Sequence, residues 1–320
     1  MTRHNTAIHT VAVVGATGYT GLEVLRVLRG HGGVEVRFAT SETSAGEPSG
    51  LPGLDLVSGE DVVLDGVHLV FLCLPHGTAV EWAERAQAAG VKVVDLTADH
   101  RPGSGREQGW VYGMTDLAAQ AVAGAALVAN PGCYPTGVQL SLHPLLAGGM
   151  IRADRTVVVN AASGVTGAGR TPKRELLFAE VASDYRAYST GNAHRHLLEM
   201  RAGLPGLPLL FQPHLLPLAR GILETIYVPV VPGVDAAAVR SAWREAYAGA
   251  ATLDVTDGAP TLVETVGTDR LVLGASDNAG IPDVVTVMAS FDNLGKGAAG
   301  QAVHNMNLML GLDPIRGLRC

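Results

Sequence analysis

The chain has 320 residues, with 30 acidic against 23 basic side chains, a formal net charge of -7, 47% hydrophobic residues and only 17% charged ones. At ~150 residues per domain this is length for two domains, with a core that needs neither disulfides nor a structural metal. The composition excludes a disordered chain, the 40 glycines lack the Gly-X-Y period of collagen, and an acidic balance without a basic run argues against nucleic-acid binding.

The longest apolar stretches, 67–74 and 207–218, are too short for a membrane span or are broken by Pro and His. The start, Met1-Thr-Arg-His-Asn5, has no apolar leader core. Three cysteines, Cys73, Cys133 and Cys320, cannot form a complete disulfide set, which fits a reduced, cytoplasmic protein.

The first third alternates short apolar strands with helical patterns, the rhythm of a parallel α/β sheet. Residues 10–14 read as a strand, and Leu22, Leu25, Val27 and Leu28 mark a helix after it. Further strands are expected at 34–40, 68–74, 91–96 and 126–129, with a helix at 78–89 and another opening near Thr136. From about residue 155 the β-branched runs 156–159, 224–231, 261–266, 271–273 and 284–287 read as strands of one mixed or antiparallel sheet. Helices at 236–248 and 296–310 complete the second part. No linker or repeat separates the parts, so two interleaved domains are expected.

Gly15-Ala-Thr-Gly-Tyr-Thr-Gly21 lies between the first strand and its helix. Glycines at 15, 18 and 21 allow a tight turn and let a pyrophosphate approach the helix N-terminus, which brings Thr17, Tyr19 and Thr20 into the same candidate cofactor site. Three glycines in a Gly-rich chain also suit a plain βα turn. An NAD site usually has an acidic residue at the end of the second strand. Here that strand runs into Thr40, Ser41, Glu42, Thr43 and Ser44. Hydroxyls at Ser41, Thr43 and Ser44 suit a ribose 2′-phosphate and so favour NADP, with Glu42 the discordant residue.

Asn130-Pro-Gly-Cys133-Tyr-Pro-Thr-Gly137 follows a strand and opens a helix. A thiol at a helix N-terminus meets the positive end of the dipole, which favours the thiolate nucleophile. Cys73, inside an apolar strand, and Cys320, at the terminus, read as inert. His194 and His196 stand two apart without a third ligand cluster, so no metal is expected. An imidazole with an ordinary midpoint near ~6.5 could exchange protons at neutral pH.

Six runs carry a resemblance: the Gly15–Gly21 turn, Asn130–Gly137, Ala162-Ser-Gly-Val-Thr-Gly-Ala-Gly-Arg170, His194-Arg-His196, Arg220-Gly-Ile-Leu-Glu-Thr225 and Asp292-Asn-Leu-Gly-Lys-Gly297. In this order, and over essentially the whole chain, they resemble the N-acetyl-gamma-glutamyl-phosphate reductases. One departure is local: where that family commonly has Thr/Gln-Pro-Glu after the second histidine, this chain has Leu197-Leu198-Glu199.

The resemblance implies an α/β protein with a Rossmann-type dinucleotide-binding domain, 1–132 together with 296–320. It implies also an α+β catalytic and dimerisation domain with a mixed sheet, 133–295, the Cys133 loop marking the junction. It implies that Cys133 attacks an acyl phosphate, that NADPH reduces the resulting thioester, and that N-acetyl-glutamate 5-semialdehyde leaves, a step of arginine biosynthesis. His194 is expected as the acid/base, with His196 orienting a neighbour or packing at the substrate site. Arg101, Arg170 and Arg220, with Arg195 beside the histidines, are candidates for the phosphate and the substrate carboxylate; Ser163 and Gly164 offer further donors. Asn305, in the last helix, joins the cofactor residues. A homodimer or homotetramer is implied. Rival readings are a reductase of an aminoadipyl-type acyl phosphate, aspartate-semialdehyde dehydrogenase, and a catalytically silent Rossmann-type binding protein, which would have no need of Cys133.

Overall fold

A computed structural model of the chain describes residues 8–320; the start of the chain, including Met1–Asn5, lies outside the described residues. Backbone contacts divide the chain into two units. One runs to Pro131 and resumes at Ala298–Leu318; the other comprises Gly132–Gly297 and Arg319–Cys320. The last two residues, assigned from sequence to the first part, stand with the second, where buried Asp269 accepts from Arg319 N at 3.0 Å and Nε at 3.3 Å.

The first unit is built on seven parallel strands: β1 (His9–Val14), β2 (Val34–Thr40), β3 (Leu56–Val57), β4 (Leu69–Leu72), β5 (Lys92–Asp95), β6 (Val111–Tyr112) and β7 (Leu127–Ala129). Their order is β3-β2-β1-β4-β5-β7-β6. Strands buried on both faces need no polar alternation, and here successive residues of β1 feed two cores. Val11 and Val13 pack with the helices Tyr19–Leu28 and Gly300–Met309, while Ala12 and Val14 pack with the helix Val80–Ala88. Because β2 and β4 lie on opposite sides of β1, the connections reverse direction there, and such a switch point opens a crevice at the carboxyl ends of the strands. The helix Thr115–Ala123 completes this unit.

The second unit carries β8 (Val157–Ser163), β9 (Arg186–Ala187), β10 (Leu209–Leu215), β11 (Ile222–Pro229), β12 (Leu253–Val255), β13 (Leu271–Asp277) and β14 (Val284–Phe291). The order is β12-β13-β14-β11-β8-β10-β9, with β8/β10 and β12/β13 parallel and the rest antiparallel. This is the mixed sheet expected from the sequence. Alternate residues of β11, Ile222, Glu224, Ile226 and Val228, are buried, on the face that meets the helix Cys133–Ala147. Leu223, Thr225 and Tyr227 point to the other face, with Val158 and Asn160 of β8, Leu210 of β10 and Met288 of β14. Trp243, in the helix Ala236–Ala246, is wholly buried and donates from its indole N–H to Ser141 O at 2.8 Å.

The helices Thr115–Ala123 and His196–Gly203 and the short strands β3, β6, β9 and β12 were not read from the sequence, and three further elements differ from the reading. Residues 261–266, expected as a strand, form the short helix Leu262–Thr265, because Thr261 and Glu264 make a capping box with Thr261 N donating to Glu264 Oε2 at 2.9 Å. Strand β10 was hidden by Pro213, which is tolerated because its outer neighbour β9 has only two residues. The terminal helix opens as a π turn, Gly295–Ala299, before the α-helix Gly300–Met309. No helix among the described residues is long and apolar enough to cross a membrane.

Truncating Trp243 to Ala removes the largest buried side chain and leaves Ser141 O without its donor. The expected loss is ~3–5 kcal/mol in urea unfolding of the whole chain, and a loss below ~1 kcal/mol would contradict this packing.

Candidate active site

In the first unit the turn after β1 is held by sterics and by the end of β2. Gly15 has φ +82, and a Cβ there would lie 2.6 Å from Cys73 O; one on Gly21 would overlap Gly15 O. At Gly18, the N-cap of the helix Tyr19–Leu28, a Cβ would meet Cys73 O and Gly15 O at 3.8 Å, ordinary contact, so packing within the turn does not demand glycine there. Thr40 is spent on the turn itself, its Oγ1 accepting Gly15 N–H at 3.2 Å and its carbonyl Ala16 N–H at 2.8 Å.

Beyond it the hydroxyls form a cluster. Ser41 Oγ lies 3.3 Å from Thr17 Oγ1 and 3.5 Å from Thr43 Oγ1, and accepts Ser44 N–H at 3.2 Å. Glu42 turns away from this cluster, accepting Ser58 Oγ at 3.2 Å and Gly59 N at 3.0 Å. The residues therefore fit a phosphorylated dinucleotide: a glycine turn, first-turn N–H groups, and hydroxyls without a carboxylate aimed at them. Tyr19 and Thr20 are half-buried at the helix start. Asn305 is wholly buried, and its amide donates to Gly113 O at 2.9 Å and Asn130 Oδ1 at 3.0 Å while Oδ1 accepts Thr115 Oγ1 at 2.8 Å. It ties three segments of its own unit together. Arg101 is buried, with Nη2 donating to Leu96 O at 2.8 Å.

In the second unit Cys133 is the first residue of the helix Cys133–Ala147, three residues earlier than the sequence pattern placed the start. Gly132, its N-cap, has extended backbone, and its N–H donates to Glu199 Oε2 at 2.9 Å. A Cβ on Gly132 would lie 2.7 Å from His196 Nε2 and 2.9 Å from Glu199 Oε1. The His196 ring thus abuts the residue before the thiol. His196 and Glu199 stand three apart in the helix His196–Gly203 and so share a face. That spacing was the available sign for Glu199, whose part the sequence reading missed.

His194 stands elsewhere in the group. Its ring lies among Tyr134, Tyr188, Phe211 and His196, with centroids 4.6–5.7 Å apart, and its Nδ1 accepts His196 N–H at 3.2 Å. Burial, and then the charge of Arg195, lowers its pKa to about 4, so the ordinary imidazole midpoint expected from sequence does not apply. Tyr134 and Tyr188, also unread from sequence, pair hydroxyl to hydroxyl at 3.0 Å. Burial pushes the Tyr134 hydroxyl well up and that of Tyr188 to about 12.

Of the candidate anion residues, Ser163, Gly164 and Arg220 come together. A Cβ on Gly164 would lie 2.7 Å from Arg220 N, and Ser163 Oγ donates to Gly164 O at 3.0 Å. Arg220 Nε is held by the wholly buried carboxylate of Asp292, 2.9 Å from Oδ2 and 3.1 Å from Oδ1. Arg170 and Arg195 are exposed. Among the described residues no group of three or more His, Cys, Asp or Glu could hold a metal ion.

A nucleotide-type turn in the first unit and, in the second, a helix-start thiol with an imidazole against the residue before it suit the dehydrogenase class. Residues 10–125 match the NAD-binding domain of semialdehyde dehydrogenases, and residues 133–293 match the semialdehyde dehydrogenase dimerisation domain. The N-acetyl-gamma-glutamyl-phosphate reductase of Geobacter sp. (strain M21) is 40% identical over 96% of this chain and 97% of that protein. The enzymes of that name from Thiobacillus denitrificans and Acinetobacter baumannii are 39% and 36% identical, over 94% and 97% of this chain and 95% and 98% of theirs. The chain belongs to the N-acetyl-gamma-glutamyl-phosphate reductase family. Among solved structures, aspartate semialdehyde dehydrogenase II from Vibrio cholerae shares the fold with a TM-score of 0.81 at 21% identity, over 95% of this chain and 99% of that one. The aspartate semialdehyde dehydrogenase from Candida albicans solved with NADP gives 0.72 at 17%, over 95% and 99%.

Two measurements follow from this geometry. Limited iodoacetamide labelling read by mass spectrometry is expected to modify Cys133 before Cys320, and Cys73 last, because burial and then Asp95 drive the Cys73 thiol far above its usual range. Preferential labelling of Cys73 would contradict both placements. The lowered His194 midpoint also makes folding pH-dependent: from about pH 6.5 down to about 4 the unfolded chain takes up a proton that the folded ring refuses, and stability is lost across that window. His194→Asn should flatten this part of the melting-temperature profile, and a parallel profile would count against the burial of the ring.

Proposed function

We propose that the chain reduces N-acetyl-L-glutamyl 5-phosphate to N-acetyl-L-glutamate 5-semialdehyde and phosphate, with NADPH as reductant, as a cytoplasmic step of arginine biosynthesis. The observation that carries this reading is Cys133 at a helix N-terminus with the His196 ring against Gly132. The names of relatives 36–40% identical over nearly the whole chain support the substrate.

Cys133 Sγ gives its proton to His196 and attacks the acyl carbonyl; the C–O bond to phosphate breaks and a thioester remains. NADPH, when bound, supplies the hydride that reduces this thioester. His196 returns its proton to the alkoxide that forms, then takes it back as the C–S bond breaks and the aldehyde leaves with Cys133 as thiolate. N–H groups at the start of the helix Cys133–Ala147 stabilise negative charge on the reacting oxygen. Arg220, oriented by Asp292, and the Ser163–Gly164 turn receive the phosphate or the substrate carboxylate, with Arg101 and Arg170 as further candidates for the second anion. The roles of the two histidines reverse the sequence expectation. His196 has its Nε2 at Gly132, whereas His194 is a weak base whose Nδ1 already accepts the His196 N–H. His194 then orients His196.

The hydroxyl cluster of Thr17, Ser41 and Thr43, with the Ser44 N–H on Ser41 and Glu42 turned away, supports NADPH over NADH. The half-exposed sheet face of Val158, Asn160, Leu210, Thr225, Tyr227 and Met288 supports a homodimer through this face, or a homotetramer of two such pairs.

The decisive assay is phosphate-dependent oxidation of N-acetyl-glutamate semialdehyde with NADP, run beside the aminoadipate analogue. Turnover of the glutamate compound, lost in Cys133→Ser, is expected, and a preference for the longer analogue would transfer the assignment to that substrate. His196→Asn should lose ~10²–10⁴-fold in kcat with His194→Asn milder; the opposite ranking restores the sequence expectation. Light scattering should give an even subunit number that falls to one in Thr225→Arg, and an unchanged assembly would exclude this face.

A further inference from the structure

Beneath the thiol's helix lies a carboxyl group that none of these roles uses. Glu224 is wholly buried, and neither of its carboxyl oxygens has a hydrogen-bond partner among the described residues. It stands mid-strand on β11, and its neighbours across the sheet are the small buried residues Ala161 of β8 and Ala289 of β14. On the helix side it meets Gly137, where a Cβ would overlap Glu224 Oε2 and lie 2.6 Å from Phe291 Cε1. Gly137 follows Cys133 by four residues in that helix, so the two share a face. The other edge of the Phe291 ring, Cε2, lies 3.3 Å from the place of a Cβ on Gly297, which in turn is 3.1 Å from Cys133 Cβ. A packed row therefore runs from Glu224 past Phe291 to Cys133.

A buried polar group without a partner is rare enough in native interiors to need a reason. An apolar side chain of equal length would fill this space without the cost of desolvating a carboxyl. What a carboxyl offers is a flat, narrow end that fits between a helix backbone stripped of its Cβ and the edge of an aromatic ring.

We propose that Glu224 is a positioning residue for the nucleophile: its carboxyl, seated in the notch left by Gly137, fixes the first two turns of the helix Cys133–Ala147 and thereby the place of the Cys133 sulfur. The proposal rests on the reading of Cys133 as nucleophile. Burial alone drives the Glu224 carboxyl well above the usual range, so the wedge is a neutral acid. The packed strands supply no counter-charge, since Val157–Ser163 and Val284–Phe291 contain no ionisable side chain. The helix brings only Cys133, Tyr134 and the exposed His143. Neutrality matters here, because an anion one turn beneath the thiol would oppose the thiolate.

The test uses the full chain and reads the thiol directly: the rate of Cys133 alkylation from about pH 6 to 9, beside kcat, KM and melting temperature. Shortening the wedge in Glu224→Asp should lower kcat and the alkylation rate at least about tenfold with KM little changed, since displacement of a reacting group by an ångström can cost ~100-fold. Glu224→Gln, of native length and uncharged, should restore both the rates and the pH profile. Gly137→Ala drives a methyl into the carboxyl and should fall as far as Glu224→Asp, whereas adding Glu224→Ala to it vacates the notch for that methyl and recovers most of the loss. Native rates in Glu224→Asp would overturn the proposal, as would a thiol midpoint lowered by about a unit or more in Glu224→Gln, which would mean that the native carboxyl is charged. If Gly137→Ala does not fold, the Asp and Gln variants decide by themselves. Failure of the nucleophile reading is distinguishable: Cys133→Ser would keep turnover while the alkylation differences among the Glu224 variants remained.

Discussion

The contact on which the chemistry of the second unit depends is the hydrogen bond from Gly132 N–H to Glu199 Oε2. It joins the residue that opens the thiol's helix to the face of a second helix, and that face also carries His196. One docking event therefore delivers both the acceptor that fixes the loop and the ring that meets it. The absence of a side chain at 132 is a condition of this arrangement, since a Cβ would run into both partners. A second tie lies further along the same pair of helices, where Gln139 Nε2 donates to Glu199 O at 2.9 Å and Gly203 leaves room for the Gln139 amide. Two fixed points remove the freedom of the helices to slide, which keeps Cys133 and the His196 ring in register.

The anion residues obey a similar logic around the end of β14. Asp292 accepts from Arg220, from Gly267 N at 2.7 Å and from Leu294 N at 2.9 Å. Its neighbour Asn293 accepts Gly221 N at 2.8 Å and donates to Thr166 Oγ1 at 2.9 Å. Two adjacent side chains thus hold the loop after β8, the arginine before β11 and the turn after the short helix Leu262–Thr265. A buried carboxylate with several donors is satisfied as a charge, and it orients the guanidinium by its Nε edge.

Much of this was legible in the sequence because it depends on local rules. Apolar runs separated by helical patterns gave the parallel sheet, and the glycines of the turn and the thiol after Pro-Gly could be placed on their elements without coordinates. What was not legible depended mostly on distant partners, with one local signal overlooked. Thr261-Leu-Val-Glu-Thr-Val266 has strand composition, and only the reciprocal cap between Thr261 and Glu264 makes it helical. The choice between His194 and His196 could not come from spacing, because two residues separated by one differ in what lies opposite them. The partners of the Asn305 amide, Gly113, Asn130 and Thr115, are likewise far from it in the chain. Glu224 gave no signal at all, since a charged residue in a β-branched run reads as facing solvent.

The end of β2 shows why side-chain direction outweighs composition in reading a cofactor site. Five consecutive polar residues from Thr40 to Ser44 include one carboxylate, and a count alone would weaken the case for a phosphate. Each side chain has a separate task. Thr40 points inward and holds Gly15, Ser41 gathers the hydroxyls, and Glu42 reaches the loop at Ser58 and Gly59. The carboxylate contributes by fastening its own loop, and by accepting those donors it stays out of the hydroxyl cluster. An electrostatic objection that holds at the level of the sequence fails once the hydrogen bonds are assigned, because repulsion depends on where the charge is held and not on how near it lies in the chain.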